Sequence, residues 1–243
     1  MEGLGDVEVG GAPVGWADRM AAGLAERLEE PVYYTNFAIR GRLLQPIATE
    51  QLDAALALDP APDLIIFNGG GNDMLRPTFS VERMMRLTEL AIDRCREAGV
   101  RLVFVTGARP TRRLPLARVM TARGDAYMAA ALAVTQRTGN QIISNWGDAD
   151  IADARYWSED RLHLGPRGHA RVAARVLTEL GYPTPLPEPG EPAPRPTWRA
   201  EARYVRVHVM PFIGRRIASR SSGRGRVPKY AQWHLMEGST HAR

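Results

Sequence analysis

Asp160 and His163 stand three residues apart, just ahead of a stretch with helical spacing. At that separation a carboxylate can accept the Nδ1 proton of the imidazole and leave Nε2 as a general base, which makes two members of a Ser-His-Asp triad. Hydrolysis by such a pair also needs a nucleophilic hydroxyl and donors for a developing oxyanion. Gly41 and Asn72 are donors of the right kinds: a glycine after a strand lets its backbone N–H face a ligand, and an asparagine side chain can add a second hydrogen bond. The glycines from Gly69 also invite a dinucleotide-loop reading. That fingerprint needs a sixth-position glycine where Met74 stands, and it fails.

These residues must be carried by elements that bring loops together. Short apolar runs predict strands over Val32–Thr35, Leu64–Asn68, Leu102–Thr106 and Gln141–Ser144. Helical spacing covers Trp16–Leu28, Ile47–Leu58, Val81–Ala98, Leu114–Thr138 and Gly168–Leu180, the last opened by Gly165-Pro166. Strands alternating with helices point to a three-layer α/β domain with a parallel sheet, whose ligands sit beyond the carboxyl ends of the strands. The segments there are Asn36–Gly41, Gly69–Asp73 and Gly107–Thr111, followed later by Trp157–His163.

Composition narrows the chemistry further. Lys229 is the only lysine among 32 basic residues, which excludes a lysine-dependent phosphate loop or Schiff base in the main domain. One cysteine, Cys95, and five dispersed histidines offer neither a disulfide framework nor a zinc site, so no structural metal is expected. No apolar run approaches the roughly 18 residues of a membrane span, and the amino end lacks the basic and apolar regions of an export signal, so a cytoplasmic location is expected.

Residues 184–243 hold 11 basic and 4 acidic residues out of totals of 32 and 27, which leaves the preceding part at about −2 and the tail at +7. The high isoelectric point thus describes an appendage, and no specific nucleic-acid binding is expected of the body. Every second or third residue from Pro183 to Pro196 is proline, which reads as a stiff linker over residues 184–197 after a domain spanning 1–183. Beyond it, residues 198–243 form a basic amphipathic segment interrupted by Pro211 and then a disordered tail, Gly/Ser/Arg-rich at Ser219–Arg226. The amphipathic part is expected to pack back as a helix or to make weak membrane-surface or other anionic contact.

Three motifs in chain order resemble the SGNH/GDSL hydrolase family. Asn36-x-Ala38-x-x-Gly41 is similar to its block II, Gly70-Gly71-Asn72-Asp73 to block III, and Asp160-x-x-His163 to block V. The tracts Asn36–Leu44 and Trp157–Leu164 and the helix start Gly15–Arg19 are similar to its bacterial members resembling lysophospholipase L1 and related esterases. The resemblance implies a flavodoxin-like α/β/α fold and hydrolysis of a small-molecule or lipid ester by a serine. It further implies an oxyanion hole from the Gly41 backbone and the Asn72 side chain, with Asp160 orienting His163 and no cofactor.

Block I departs from the pattern. The family's first strand ends in Gly-Asp-Ser, whereas this chain begins Met1-Glu2-Gly3-Leu4-Gly5-Asp6, a stretch similar to the family's residues just downstream of that motif. The nucleophile is therefore expected upstream of Met1, read as an internal methionine, and the chain as it stands is expected to be inactive. In strand order 2-1-3-4-5 the absent strand lies between the second and third, and its loss would leave two open edges. Gly5-Asp6-Val7 as a degenerate nucleophile motif is the competing view, that of a noncatalytic acyl- or acetyl-binding relative. Ser80, Ser144 and Ser158 do not occupy a nucleophile elbow. A third reading places function in nucleic-acid or membrane attachment by the basic tail: removing residues 184–243 would abolish binding if it holds and leave hydrolysis untouched if it does not.

Of the remaining residues, Asp73 reads as a loop-fixing carboxylate, His169 as a surface or packing residue, and Cys95 as a small buried hydrophobe. Arg40, Arg42, Arg76 and Arg109 read as loop charges near the carboxyl edge, with attraction of an anionic substrate as the alternative.

Overall fold

Apolar runs of four or five residues become strands and the amphipathic stretches between them become helices. The computed structural model describes residues 8–9, 12–110, 117–191, 197–211 and 225–238. In chain order they form β1 (Glu8–Val9), β2 (Ala12–Pro13), α1 (Trp16–Leu28), β3 (Val32–Asn36) and α2 (Leu44–Pro46). A π turn over Ile47–Gln51 leads into α3 (Leu52–Leu56), followed by β4 (Leu64–Phe67), α4 (Val81–Glu97), β5 (Arg101–Val105), α5 (Ala117–Thr138) and β6 (Gln141–Ile143). The chain ends with α6 (Pro166–Glu179), α7 (Trp198–Tyr204) and β7 (Tyr230–Met236). Single 3-10 turns lie at Asp73–Leu75, Asp150–Ala152 and Ala154–Tyr156.

The chain divides into two compact units, one of residues 41–110 and 116–149, the other of residues 1–40, 111–115 and 150–243. The first is the parallel α/β structure that the sequence predicts. Its strands run in the order β4-β5-β6, with Ile65 opposite Leu102 and Phe104 opposite Ile142. As the middle strand, β5 is buried on both faces from Leu102 to Val105, which is why it reads as an unbroken apolar run. Ser80 opens α4 by accepting the Arg83 N–H, and α4 contributes Met84, Ala91, Ile92 and Cys95 to the core. Tyr127, Met128 and Val134 of α5 and Leu44, Ala48 and Leu52 of the earlier helical stretch complete it. A side chain at Gly124 would place its Cβ 2.2 Å from the Trp146 ring, so glycine lets α5 approach.

In the second unit α1 and α6 pack together, with Leu177 seated where a Cβ on Gly23 would lie. Here the sequence expectation needs two corrections. Among the described residues β3 pairs not with a parallel neighbour but antiparallel with β7, Tyr33 opposite Leu235 and Tyr34 opposite His234. Tyr230–Met236 is therefore a strand within what the sequence suggested was a disordered tail. Its partners are aromatic: Tyr33 meets Trp233 and Tyr34 meets Tyr230 edge to face, and Tyr230 stacks on His234. The amphipathic segment does form a helix, continued by a π turn over Val205–Val209; its continuation past Pro211 and the segment 219–224 lie outside the described residues.

Candidate active site

The loop from Ser158 to Leu164 is built around one carboxylate. Asp160 Oδ1 accepts the N–H groups of Leu162 (3.0 Å) and His163 (2.9 Å) and the Ser158 hydroxyl (2.6 Å). Its other oxygen faces His163 Nδ1 at 2.5 Å. Burial opposes ionisation of Asp160, but the hydrogen bonds from the imidazole, Ser158 and the His163 N–H outweigh it, and the carboxyl is held well below the usual range. With Nδ1 committed to the carboxylate, Nε2 is the nitrogen left for chemistry, and among the described residues no group bonds to it.

Backbone closes the loop on itself: Ser158 N–H donates to His163 O, and Arg161 N–H to Ser158 O. Trp157 bridges Leu164, and its indole donates to Ile151 O at 2.6 Å. Gly165 then opens α6, and Pro166 takes the first helical position, where no amide donor is needed. The Asp160 and His163 pairing is thus as the spacing suggests. Ser158 as a third partner of the carboxylate is a residue that sequence reasoning placed only among the hydroxyls; the two-residue interval Ser158-x-Asp160 was its signal.

Gly41 and Asn72 both belong to the parallel unit. The Asn72 amide donates to the carbonyl of Arg42 at 3.0 Å, tying the residue after Gly41 to the block III loop and committing one of its two amide protons. Gly41 turns with φ 78°, a left-handed conformation that suits glycine. Gly70 has φ 93°, and a Cβ there would meet Met84 Cε at 2.8 Å, so this loop admits little else. Asp73 fixes the same loop, its Oδ2 accepting the Leu44 N–H at 2.9 Å. Burial pushes its carboxyl above the usual value.

The other residues singled out by sequence have local partners. His169 is buried, not on the surface, and its Nδ1 accepts the Trp16 N–H. Cys95 is buried, its thiol pushed up to about 11 by burial. Arg42 pairs with Glu50 and Arg109 with Asp125, which also accepts from the Trp146 indole. Ser80 caps α4, and Ser144 Oγ accepts the Gly147 N–H.

The sequence profile of the GDSL-like Lipase/Acylhydrolase family matches residues 1–171. The chain belongs to that family. The match covers the Ser158–Leu164 loop and the Gly41 and Asn72 loops, and it ends within α6. Solved structures agree at the level of fold. A tryptophan-to-isoleucine variant of Axe2, an acetyl xylan esterase from Geobacillus stearothermophilus, superposes with a TM-score of 0.57 at 16% identity, covering 74% of this chain and 87% of that one. A second Axe2 variant, described as an acetyl-xylooligosaccharide esterase, gives 0.55 at 15% identity over 79% and 89%. LAE5, an alpha/beta hydrolase from the metagenome of Lake Arreo, Spain, gives 0.53 at 15% identity over 73% and 86%. No curated protein sequence matches.

Proposed function

We propose that the chain carries the acid-base and oxyanion parts of a serine ester hydrolase. The observation that carries this reading is the Asp160 carboxylate held against His163 Nδ1 at 2.5 Å in a loop with three further donors to that carboxylate. In the reaction a serine hydroxyl gives its proton to His163 Nε2 as its oxygen bonds to the acyl carbon. The carbonyl oxygen becomes an oxyanion, a charge for which the family resemblance assigns the Gly41 N–H and the Asn72 amide as donors. As the ester C–O bond breaks, His163 returns the proton to the leaving alkoxide. Water then repeats the sequence on the acyl-serine, and Asp160 stays ionised throughout.

No Gly-Asp-Ser occurs in the 243 residues. Ser158, the hydroxyl closest to the pair in sequence, is committed to Asp160 Oδ1 and His163 O, so it is a poor nucleophile candidate. We therefore expect this chain alone to leave short p-nitrophenyl esters intact. A chain extended before Met1 through an upstream, in-frame Gly-Asp-Ser is expected to hydrolyse them, and His163→Ala in that chain should abolish turnover. Binding of acetate without turnover by a folded, extended chain would instead favour the noncatalytic acyl-binding reading. Hydrolysis indifferent to His163→Ala would overturn both.

A further inference from the structure

Between Asp160 and Leu162 the chain turns through Arg161, whose φ of 57° is a left-handed conformation that side chains other than glycine and asparagine disfavour. That turn aims the Leu162 and His163 N–H groups back at the Asp160 carboxylate. The Arg161 side chain is held from far along the sequence. Its guanidinium makes a two-pronged ion pair with Glu201 of α7, Nη1 to Oε2 at 2.9 Å and Nη2 to Oε1 at 2.7 Å. It also lies 3.8 Å above the ring of Tyr204, which is buried and whose hydroxyl points to the Asp160 carbonyl at 3.4 Å.

Glu201 and Tyr204 are one helical turn apart and so share a face of α7. Thr197 fixes where that helix starts by accepting the Ala200 N–H. The whole brace comes from beyond residue 171, where the family match ends.

We propose that Arg161 is a positioning residue for the Asp160–His163 pair, locked by Glu201 and Tyr204, so that the helix beyond the proline-rich linker is a working part of the hydrolytic loop. The inference rests on the ester-hydrolase reading for its purpose, but its geometry is testable without turnover. Loss of the brace should free Arg161 to leave the left-handed region, and the N–H groups of Leu162 and His163 would then swing away from the carboxylate.

The test is proton NMR on the full chain, following the His163 Nδ1 proton, assigned by its disappearance in His163→Gln. Glu201→Gln removes a charge while keeping shape, and Arg161→Ala removes the guanidinium while keeping a Cβ that disfavours the positive φ. Both are expected to speed exchange of that proton about tenfold, the effect of losing one charge-assisted hydrogen-bonded contact. Leu177→Ala, which destabilises the α1–α6 packing away from the loop, should lower the melting temperature and leave the exchange rate near that of wild type. Wild-type exchange in both brace variants overturns the proposal, as does equal acceleration in Leu177→Ala or a wild-type chain with no protected His163 proton. Failure of every extended form to hydrolyse an ester would sink the functional reading and leave this result standing.

Discussion

Asp160 and His169 are titratable groups whose surroundings fix opposite charge states. Asp160 is kept ionised by its donors despite burial. His169 is kept neutral, pushed down to about 3 by burial and by the nearby Arg19 charge. Each shift fixes a sign for stability against pH. The depressed Asp160 contributes stability that is present above about 3.9, its unfolded value, and lost as pH falls through and below it. For His169 the unfolded chain takes a proton near 6.5 while the folded chain does not, so stability falls as pH drops from about 6.5 toward 3. The slope is at most about 1.4 kcal/mol per pH unit for one proton. Urea unfolding between pH 4 and 7 should show this decline in the wild type. His169→Gln, which can still accept the Trp16 N–H, should flatten it; an unchanged slope would mean that the unfolding proton goes elsewhere.

At the scale of elements, helix α6 packs against the chain just ahead of the dyad loop because its third residue, Gly168, has no side chain. A Cβ at Gly168 would stand 2.1 Å from the carbonyl oxygen of Tyr156, a backbone atom that cannot rotate away. Gly168→Ala is therefore expected to destabilise the protein by about 1–3 kcal/mol, as an overpacked position does, read as a lower urea midpoint. This part of the fold was legible in advance. Gly165-Pro166 announced the helix start, Asp160-x-x-His163 the pair before it, and β3 to β6 stood out as apolar runs. What stayed hidden was pairing at long range. Tyr230–Met236 comes after a Gly/Ser/Arg-rich stretch and lacks clean alternation, so nothing local marks it as a strand for β3 some two hundred residues earlier. The Arg161–Glu201 contact likewise spans 40 residues and a proline-rich linker, where local periodicity carries no information.

At the scale of the whole molecule, charge arithmetic suggested a separable basic tail whose removal would spare the ester site. The tail is instead built into the unit that holds Asp160 and His163. The only lysine, Lys229, reaches the buried carboxylate of Asp18 at 3.0 Å. That carboxylate also accepts the Gly15 N–H and the Tyr34 hydroxyl, which burial and the Asp18 charge push well above its ordinary pKa. Gly238 sits against the backbone of Glu26, where a Cβ would come within 2.9 Å. Breaking a buried ion pair from one side strands the other charge, so Lys229→Met should cost about 3 kcal/mol in urea unfolding. Adding Asp18→Asn should recover part of it, because an amide has less to lose by burial than a carboxylate. Deleting residues 198–243 removes this pair, β7 and the brace on Arg161 together. It should therefore speed amide exchange at the β3 N–H groups that face β7 and depress hydrolysis in a serine-bearing chain. Full activity after that deletion would restore the view of the tail as an independent appendage.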